Sequence, residues 1–472
     1  MQNTMKKRIQ RKWRSICAWL VMLAVVSSCT GCGFTGKADN APAKTYEPSS
    51  EKVSSEDASS EDEEPKLMDW EDALLLASDY MKSMTLEEKV GQLFMVNLEQ
   101  LDDRKGSFYE HRKYTKKMQE MIQKYHVGGA ILFSRNIYNR EQTQKLTQKL
   151  CQASRTPLFI GVDEEGGAVA RIANNCDMGT TTFPTMEEIG KTKEPDYTYE
   201  MAKTIGAEIG ELGFNVDFAP VADVKTSELN REIGSRSFGD DADKVAEHVS
   251  AFVQGLEYTN MASTLKHFPG QGSSKGDTHR ESVNIDSSIA KLRKDDFVPF
   301  EEGISAGADF IMVSHISVSK VTESSVPASM SELIMQTILR EELGFKKLII
   351  TDAMDMASIT DNYTSGQAAY RAFKGGADII LMPKHFEPAY KAIYNGVLDK
   401  SISMKRLEDS VVRILAVKIQ HGIMTQEQLH STPSPTVSPT PAVTKAPKKK
   451  ATAKKKAASG KKTAAKKKDA KK

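Results

Sequence analysis

The stretch Lys266-His-Phe-Pro-Gly-Gln-Gly-Ser-Ser-Lys-Gly-Asp277-Thr-His279-Arg-Glu carries the densest set of groups able to move protons. Pro269 and the glycines at 270, 272 and 276 predict a long flexible loop, which delivers a carboxylate and an imidazole two residues apart. Residues i and i+2 of an extended segment point to the same side. Asp277 is therefore expected to hold the His279 ring, fix its tautomer and raise its basicity. An imidazole with an ordinary pKa of about 6.5 suits both proton donation and proton acceptance near neutral pH. Asp352, in Leu348-Ile-Ile-Thr-Asp-Ala-Met-Asp355, follows a run with the character of a buried strand, so the strand itself projects its carboxylate. A carboxylate that attacks a sugar carbon, opposite a group that protonates the leaving oxygen, is the two-step retaining arrangement for glycosides. Asp355 is the rival, and Asp352 is preferred because a strand positions it.

Eight short apolar runs must present these groups: residues 92–96, 129–133, 157–162, 216–220, 263–267, 310–315, 348–352 and 379–382. They alternate with amphipathic stretches such as 198–212, 241–258, 331–343 and 366–374, which predicts parallel strands with helical crossovers, the α/β class. Eight strands close a (β/α)8 TIM-type barrel, whose active sites lie at the C-terminal ends of the strands. An open doubly wound sheet fits the same alternation, but no glycine-rich phosphate cradle opens any helix, which removes most support for nucleotide chemistry. The residues after each run are Asp163-Glu164-Glu165, Asp223, Lys266-His267, Ser314-His315 and Asp352. Any one of them alone reads most simply as a structural ion pair, whereas the whole set in one mouth reads as a site. A metal-dependent hydrolase using His267, His279, His315 and Asp352 as ligands is a second reading. It is weakened because the first run, where such sites place paired ligands, has no histidine.

In order along the chain, these residues resemble the β-N-acetylhexosaminidase branch of glycoside hydrolase family 3. Asp163-Glu-Glu-Gly-Gly with Arg171 resembles that family's Asp-Gln-Glu-Gly-Gly and following Arg; Arg236-Ser-Phe-Gly and Lys266-His-Phe-Pro-Gly match its signatures. Asp277-Thr-His279 resembles its Asp-Ser-His dyad and Thr351-Asp352-Ala-Met its nucleophile strand. The resemblance implies that Asp352 is the nucleophile and His279 the general acid/base, assisted by Asp277. It also implies that Asp163, Arg171, Arg236, Lys266 and His267 bind a terminal N-acetylglucosamine, with no cofactor or metal. The expected activity is retaining exo-hydrolysis of β-linked N-acetylhexosamine from peptidoglycan fragments. A phosphorylase and a non-catalytic wall-binding lipoprotein on the same scaffold are the alternatives. Three motifs depart from the family pattern: Gln271-Gly-Ser-Ser replaces His-Gly-Asp-Thr, Glu164 replaces Gln, and Thr278 replaces Ser.

With 472 residues, 39% of them hydrophobic, the chain is too polar for a polytopic membrane protein. Six basic residues within 1–14 precede an eleven-residue apolar run, 16–26, too short to span a bilayer. Residues 1–28 read as a signal peptide, and Val26-Ser-Ser-Cys29 resembles a lipobox, so Cys29 is expected to be acylated, with plain secretion as the alternative. The expected localisation is extracytoplasmic, on a bacterial membrane. Residues 29–66 form an acidic Ser/Glu-rich tether, 67–430 the catalytic barrel, 431–447 a Pro/Thr/Ser linker and 448–472 a Lys/Ala-rich tail. Residues 445–472 hold 14 lysines against Asp469, so the net charge of +2 leaves −11 on the rest of the chain. The basic balance thus belongs to the tail and gives no ground for nucleic-acid binding. Anionic wall polymers are candidate partners for the tail, and a solvated tail is the alternative. Cys151 and Cys176 are a candidate disulfide.

Overall fold

A computed structural model describes residues 67–430. The expected signal peptide, Cys29, the expected tether and linker and the Lys-rich tail lie outside the described residues. Among those described, no helix is long and apolar enough to cross a membrane.

The strands are β1 (Phe94–Asn97), β2 (Gly129–Ile131), β3 (Phe159–Val162), β4 (Glu164–Gly166), β5 (Val169–Ala170), β6 (Val216–Asp217), β7 (Thr264–Phe268), β8 (Phe310–Val313), β9 (Leu348–Thr351) and β10 (Ile380–Leu381). Every expected run overlaps one of them; β4 and β5 form an additional antiparallel hairpin. One parallel sheet has the order β10-β1-β2-β3-β6, and a second the order β7-β8-β9. Isolated parallel bridges join Val216 to Ala262, Val221 to Lys266 and Ile350 to Ile379, so the sheets touch along both seams. The result is a TIM-barrel-like α/β fold. Every residue of β1, β3, β7, β8 and β9 is buried, as expected of parallel strands covered on both faces.

The helices that cover them include α1 (Trp70–Met81), α2 (Lys116–Tyr125), α3 (Arg140–Cys151), α4 (Pro195–Glu211), α5 (Ala242–Tyr258), α6 (Val298–Ser305), α7 (Leu333–Glu342, with wide π-type turns), α8 (Ser365–Gly375), α9 (Phe386–Leu398) and α10 (Met404–Gln420). Their starts are legible: Thr115, Asn139, Asp241 and Ser403 each accept a backbone N–H of the first turn, and Pro195 opens α4. α5 buries Val245, Val249, Phe252, Val253 and Leu256, each worth roughly 1.5–3 kcal/mol in area removed from water. It meets α4 closely at Gly255, where a Cβ would lie 2.4 Å from the Tyr199 carbonyl oxygen.

Below the strand ends the interior is filled. The Phe159 and Phe310 rings meet edge-on at 5.2 Å, and the space beside Gly161 is taken by Met95 and Phe218. Under them lies Lys418 of α10, its Nζ 4.8 Å from the Phe159 ring centroid. It donates to Gln92 Oε1 at 2.7 Å and to the Gly128 carbonyl at 2.9 Å. Burial pushes this ammonium down to about 7.

Candidate active site

A cavity of about 1190 Å³ opens at the C-terminal ends of the strands. Asp163, Arg171, Arg236, Lys266, His267, His279 and Asp352 all line it, together with Glu165 and Glu232. Of the eight residues expected to form the site, Asp277 alone is not on the wall. It stands behind His279.

The inner wall is an ion-pair network rooted in β3, β4 and β7. Lys266 Nζ donates to Asp163 Oδ1 at 3.0 Å and pairs with Glu165 Oε1 at 2.6 Å. Arg236 grips Glu165 with two bonds, Nε at 2.9 Å and Nη2 at 2.7 Å. Arg171, carried back by the β4–β5 hairpin, reaches Asp163 Oδ2 at 3.3 Å. Burial pushes the carboxyls of Asp163 and Glu165 upward, but the cations beside them win: Asp163 is held well below the usual range and Glu165 at about 2. Lys266 and Arg236 are raised in return, against the opposite push of their own burial. Fixed charges of both signs at the bottom of a cavity suit a ligand with many hydroxyls, which can donate to the carboxylates and accept from the cations. His267 Nδ1 donates to Asp223 Oδ2 at 2.7 Å, which turns Nε2 toward Arg236 Nη2 at 3.5 Å. Asp223 also accepts the backbone N–H of His267 and of Gln271, and so ties the end of β7 to the loop that follows. The Lys266–His267 peptide bond is cis.

Asp352 follows directly on β9, with its N–H donating to the Val313 carbonyl at 2.9 Å and its Oδ1 accepting from Ala353 N–H at 2.6 Å. Strand position and side-chain orientation are thereby fixed together. Asp355 also lines the cavity, but it is exposed and beyond the strand.

The contact between Asp277 and His279 is formed, although by a different route from the one expected. Residues 277–281 make a turn, not an extended segment: Arg280 and Glu281 N–H both return to the Asp277 carbonyl. Asp277 Oδ1 accepts the His279 backbone N–H at 3.0 Å and lies 3.1 Å from His279 Nδ1. Glu232 Oε1 lies equally close to that nitrogen, at 3.1 Å. Its carboxylate also takes Thr278 Oγ1 at 2.6 Å and Thr278 N–H at 3.0 Å. The hydrogen bond to Glu232 is the first reason that the imidazole is raised to about 9, with Asp352 and Asp277 adding to it against the opposing push of burial. The ordinary value expected from sequence is thus corrected upward. Because 63% of the side chain reaches solvent, direct contact with carboxylates outweighs desolvation here.

Two further expectations change. The glycines at 270 and 272 are not there for flexibility: a Cβ on Gly270 would lie 2.6 Å from Asp296, and one on Gly272 only 1.8 Å from the Val224 carbonyl oxygen. Both mark close packing of buried backbone, and the solvent-exposed residues of the stretch are Lys275, His279, Arg280 and Glu281. Nor do His267, His279, His315 and Asp352 converge as ligands. Both ring nitrogens of His315 are engaged, Nδ1 with Ser329 Oγ at 2.8 Å and Nε2 with the Ala353 carbonyl at 3.0 Å. Among the described residues the one cluster of three donor side chains is Glu232, Asp277 and His279. Its donors are satisfied by one another, Thr278 and Arg280, and we assign it no metal. Cys151 and Cys176 are both free thiols.

From sequence Glu165 was in the strand-end set without a role of its own, and Glu232 was not named at all. Glu165 was within a quoted motif, and strand alternation from Asp163 could have placed it on the cavity side. Glu232 gave no signal, since its partners lie 46 and 47 residues further along the chain.

The chain matches Glycosyl hydrolase family 3 N terminal domain over residues 85–417. It is 36% identical over 329 residues to Beta-hexosaminidase A of Pseudoalteromonas piscicida, covering 64% of this chain and 54% of that relative. It is 34% identical over 278 residues to a Beta-hexosaminidase of Stenotrophomonas maltophilia (strain R551-3), covering 57% of this chain and 80% of the relative. Among solved structures, a glycoside hydrolase family 3 beta-N-acetylglucosaminidase from Paenibacillus sp. str. FPU-7 superposes with a TM-score of 0.67 at 32% identity, over 75% of this chain and 65% of that one. The chain thus spans about half the length of the first relative and just under two thirds of this structure.

Proposed function

Because this chain belongs to glycosyl hydrolase family 3, we propose that it is a retaining exo-β-N-acetylglucosaminidase, removing terminal β-linked N-acetylhexosamine from peptidoglycan fragments. Asp352 is the nucleophile, His279 the general acid/base and Asp277 its aid, while Asp163, Arg171, Arg236, Lys266 and His267 hold the non-reducing sugar. The observation that carries this reading is the meeting of a strand-fixed carboxylate and a carboxylate-flanked imidazole in one cavity, above a wall of charges suited to a hydroxylated ring. The parallel bridges along both seams support reading the two sheets as one closed (β/α)8 barrel.

In the first step His279, protonated at neutral pH because of its anionic neighbours, donates to the leaving oxygen while Asp352 adds to the anomeric carbon. Asp352 is then an ester and carries no charge. One of the anions that favoured the imidazolium is gone, so the ring that has just lost its proton stays neutral and takes one from the incoming water. Asp352→Asn or His279→Ala should each lower turnover of an aryl N-acetyl-β-glucosaminide by at least about 10². Proton NMR of the fresh product should show the β-anomer first. Initial release of the α-anomer would overturn the covalent route, and phosphate-dependent release of a sugar 1-phosphate would favour a phosphorylase instead.

The ends of the chain bear a separate proposal. Residues 1–28 direct export, acylated Cys29 anchors the protein, 29–66 tether the barrel, and the Lys-rich tail beyond the 431–447 linker engages anionic wall polymers.

A further inference from the structure

We infer that Glu232 is a positioning residue for the acid/base step, holding the turn at 277–281 against the cavity wall and sharing the Nδ1 proton of His279 with Asp277. The inference rests on the glycosidase reading of the cavity and adds to it a carboxylate outside the Asp277/His279 pair.

Three contacts carry it. Glu232 binds Thr278 through both side chain and backbone, at 2.6 and 3.0 Å, and His279 at 3.1 Å. Thr278 is fully buried between His279 and Asp277, so the turn is anchored by its middle residue while its flanks face outward. The two carboxylates on Nδ1 are not equivalent. Glu232 is 6% exposed, whereas Asp277 is 38% exposed and also neutralised by Arg280, whose Nε lies 3.2 Å from Oδ2. A buried, unshared charge acts through a lower dielectric and interacts more strongly. Burial pushes the Glu232 carboxyl upward, yet His279 and Thr278 bring it down to about 2, the reciprocal of the rise at His279. With both acceptors on Nδ1, Nε2 is the nitrogen left to serve the leaving oxygen. The Glu232 carbonyl in turn accepts from Arg236 Nη1 at 3.1 Å, so the turn and the sugar-binding wall share one hydrogen-bonded support.

The other titratable or charged groups around the ring are Asp352 and Asp355 after β9, His315 after β8, His267 after β7 and Arg280 in the turn. The two aspartates favour the imidazolium and the two histidines oppose it when charged. Burial keeps His315 below its ordinary value.

The test is a titration of His279 in the full chain, followed by NMR of ¹³C-labelled imidazoles with EDTA present and assigned by the signal lost in His279→Asn. The wild-type midpoint should lie above 8, Glu232→Gln should lower it by about one unit or more, and Asp277→Asn should lower it less. In parallel, the alkaline limb of kcat/KM on the aryl substrate should move down with the midpoint. The loss in Glu232→Gln should then be at least about threefold greater at pH 8.5 than at pH 6, while Glu232→Asp restores part of the limb. A wild-type midpoint in the ordinary range of about 6–7 overturns the inference without any variant. A midpoint that Asp277→Asn moves more than Glu232→Gln, or one unmoved by Glu232→Gln, also overturns it. The titration needs no turnover, so a chain without glycosidase activity would sink the proposed function while Glu232 is still tested.

Discussion

Glu164 and Glu165 are neighbours in sequence with opposite environments. Successive residues of a strand face opposite sides; Glu165 turns into the cavity onto Arg236 and Lys266, while Glu164 turns away and caps the N–H groups of Ile172 and Ala173, both at 2.8 Å. Without a cation in contact, burial pushes Glu164 up to about 7. Its folded pKa is above its unfolded one, so its contribution to stability is present below about pH 4.3 and is lost as pH rises toward neutrality. Glu164→Gln lacks that loss, and its melting temperature relative to wild type should therefore improve between pH 5 and pH 8; a difference independent of pH would refute this. Glu165 has the reverse sign: the stability it supports is complete above the ordinary carboxylate range and is lost as pH falls toward about 2. Arg236→Ala leaves Glu165, which is 1% exposed, with Lys266 as its one cation, shared with Asp163, and should cost about 1–3 kcal/mol by urea unfolding as well as raising KM. At this scale the motif letters were legible in the sequence, but the partners were not. Which buried carboxylate meets a cation depends on residues 71 and 101 positions away.

At the level of elements the eight principal strands were legible because each is a short apolar run between amphipathic stretches, a pattern that parallel strands must have. Their ends were less so. The first run was read from residue 92, yet Gln92 closes a helix, Leu86–Gln92, and β1 begins at Phe94. The β4–β5 hairpin escaped notice because its strands have three and two residues, too few for any period to show. The loop after β7 was read as flexible from its glycines, since composition alone cannot separate freedom from close approach. Gly272→Ala separates them. A Cβ in contact with the Val224 carbonyl should destabilise the protein by about 1–3 kcal/mol and depress turnover through the displaced Gln271 and Asp223. A melting temperature equal to wild type would mean that the loop has slack.

For the whole molecule, charge is divided between a Lys-rich tail and a chain before it that sums to −11. If acylated Cys29 anchors the protein, Cys29→Ser should move it from the detergent phase to the aqueous phase in a Triton X-114 partition, with turnover on a soluble substrate retained. A wild-type protein found in the aqueous phase would refute the anchor. The barrel itself bears one last consequence, from Lys418 and the Phe159/Phe310 pair stacked beneath the strand ends. They make the catalytic hollow a blind well. A polymer cannot be threaded through it, so on the proposed exo-hydrolysis a strand would present only its tip and be shortened one unit at a time. On that reading the freed monosaccharide leaves past the entrance that the next chain needs, and the expected outcome is product inhibition by the released sugar. Glycans whose tip is masked at the 4-hydroxyl should be inert, however many cleavable bonds lie behind it.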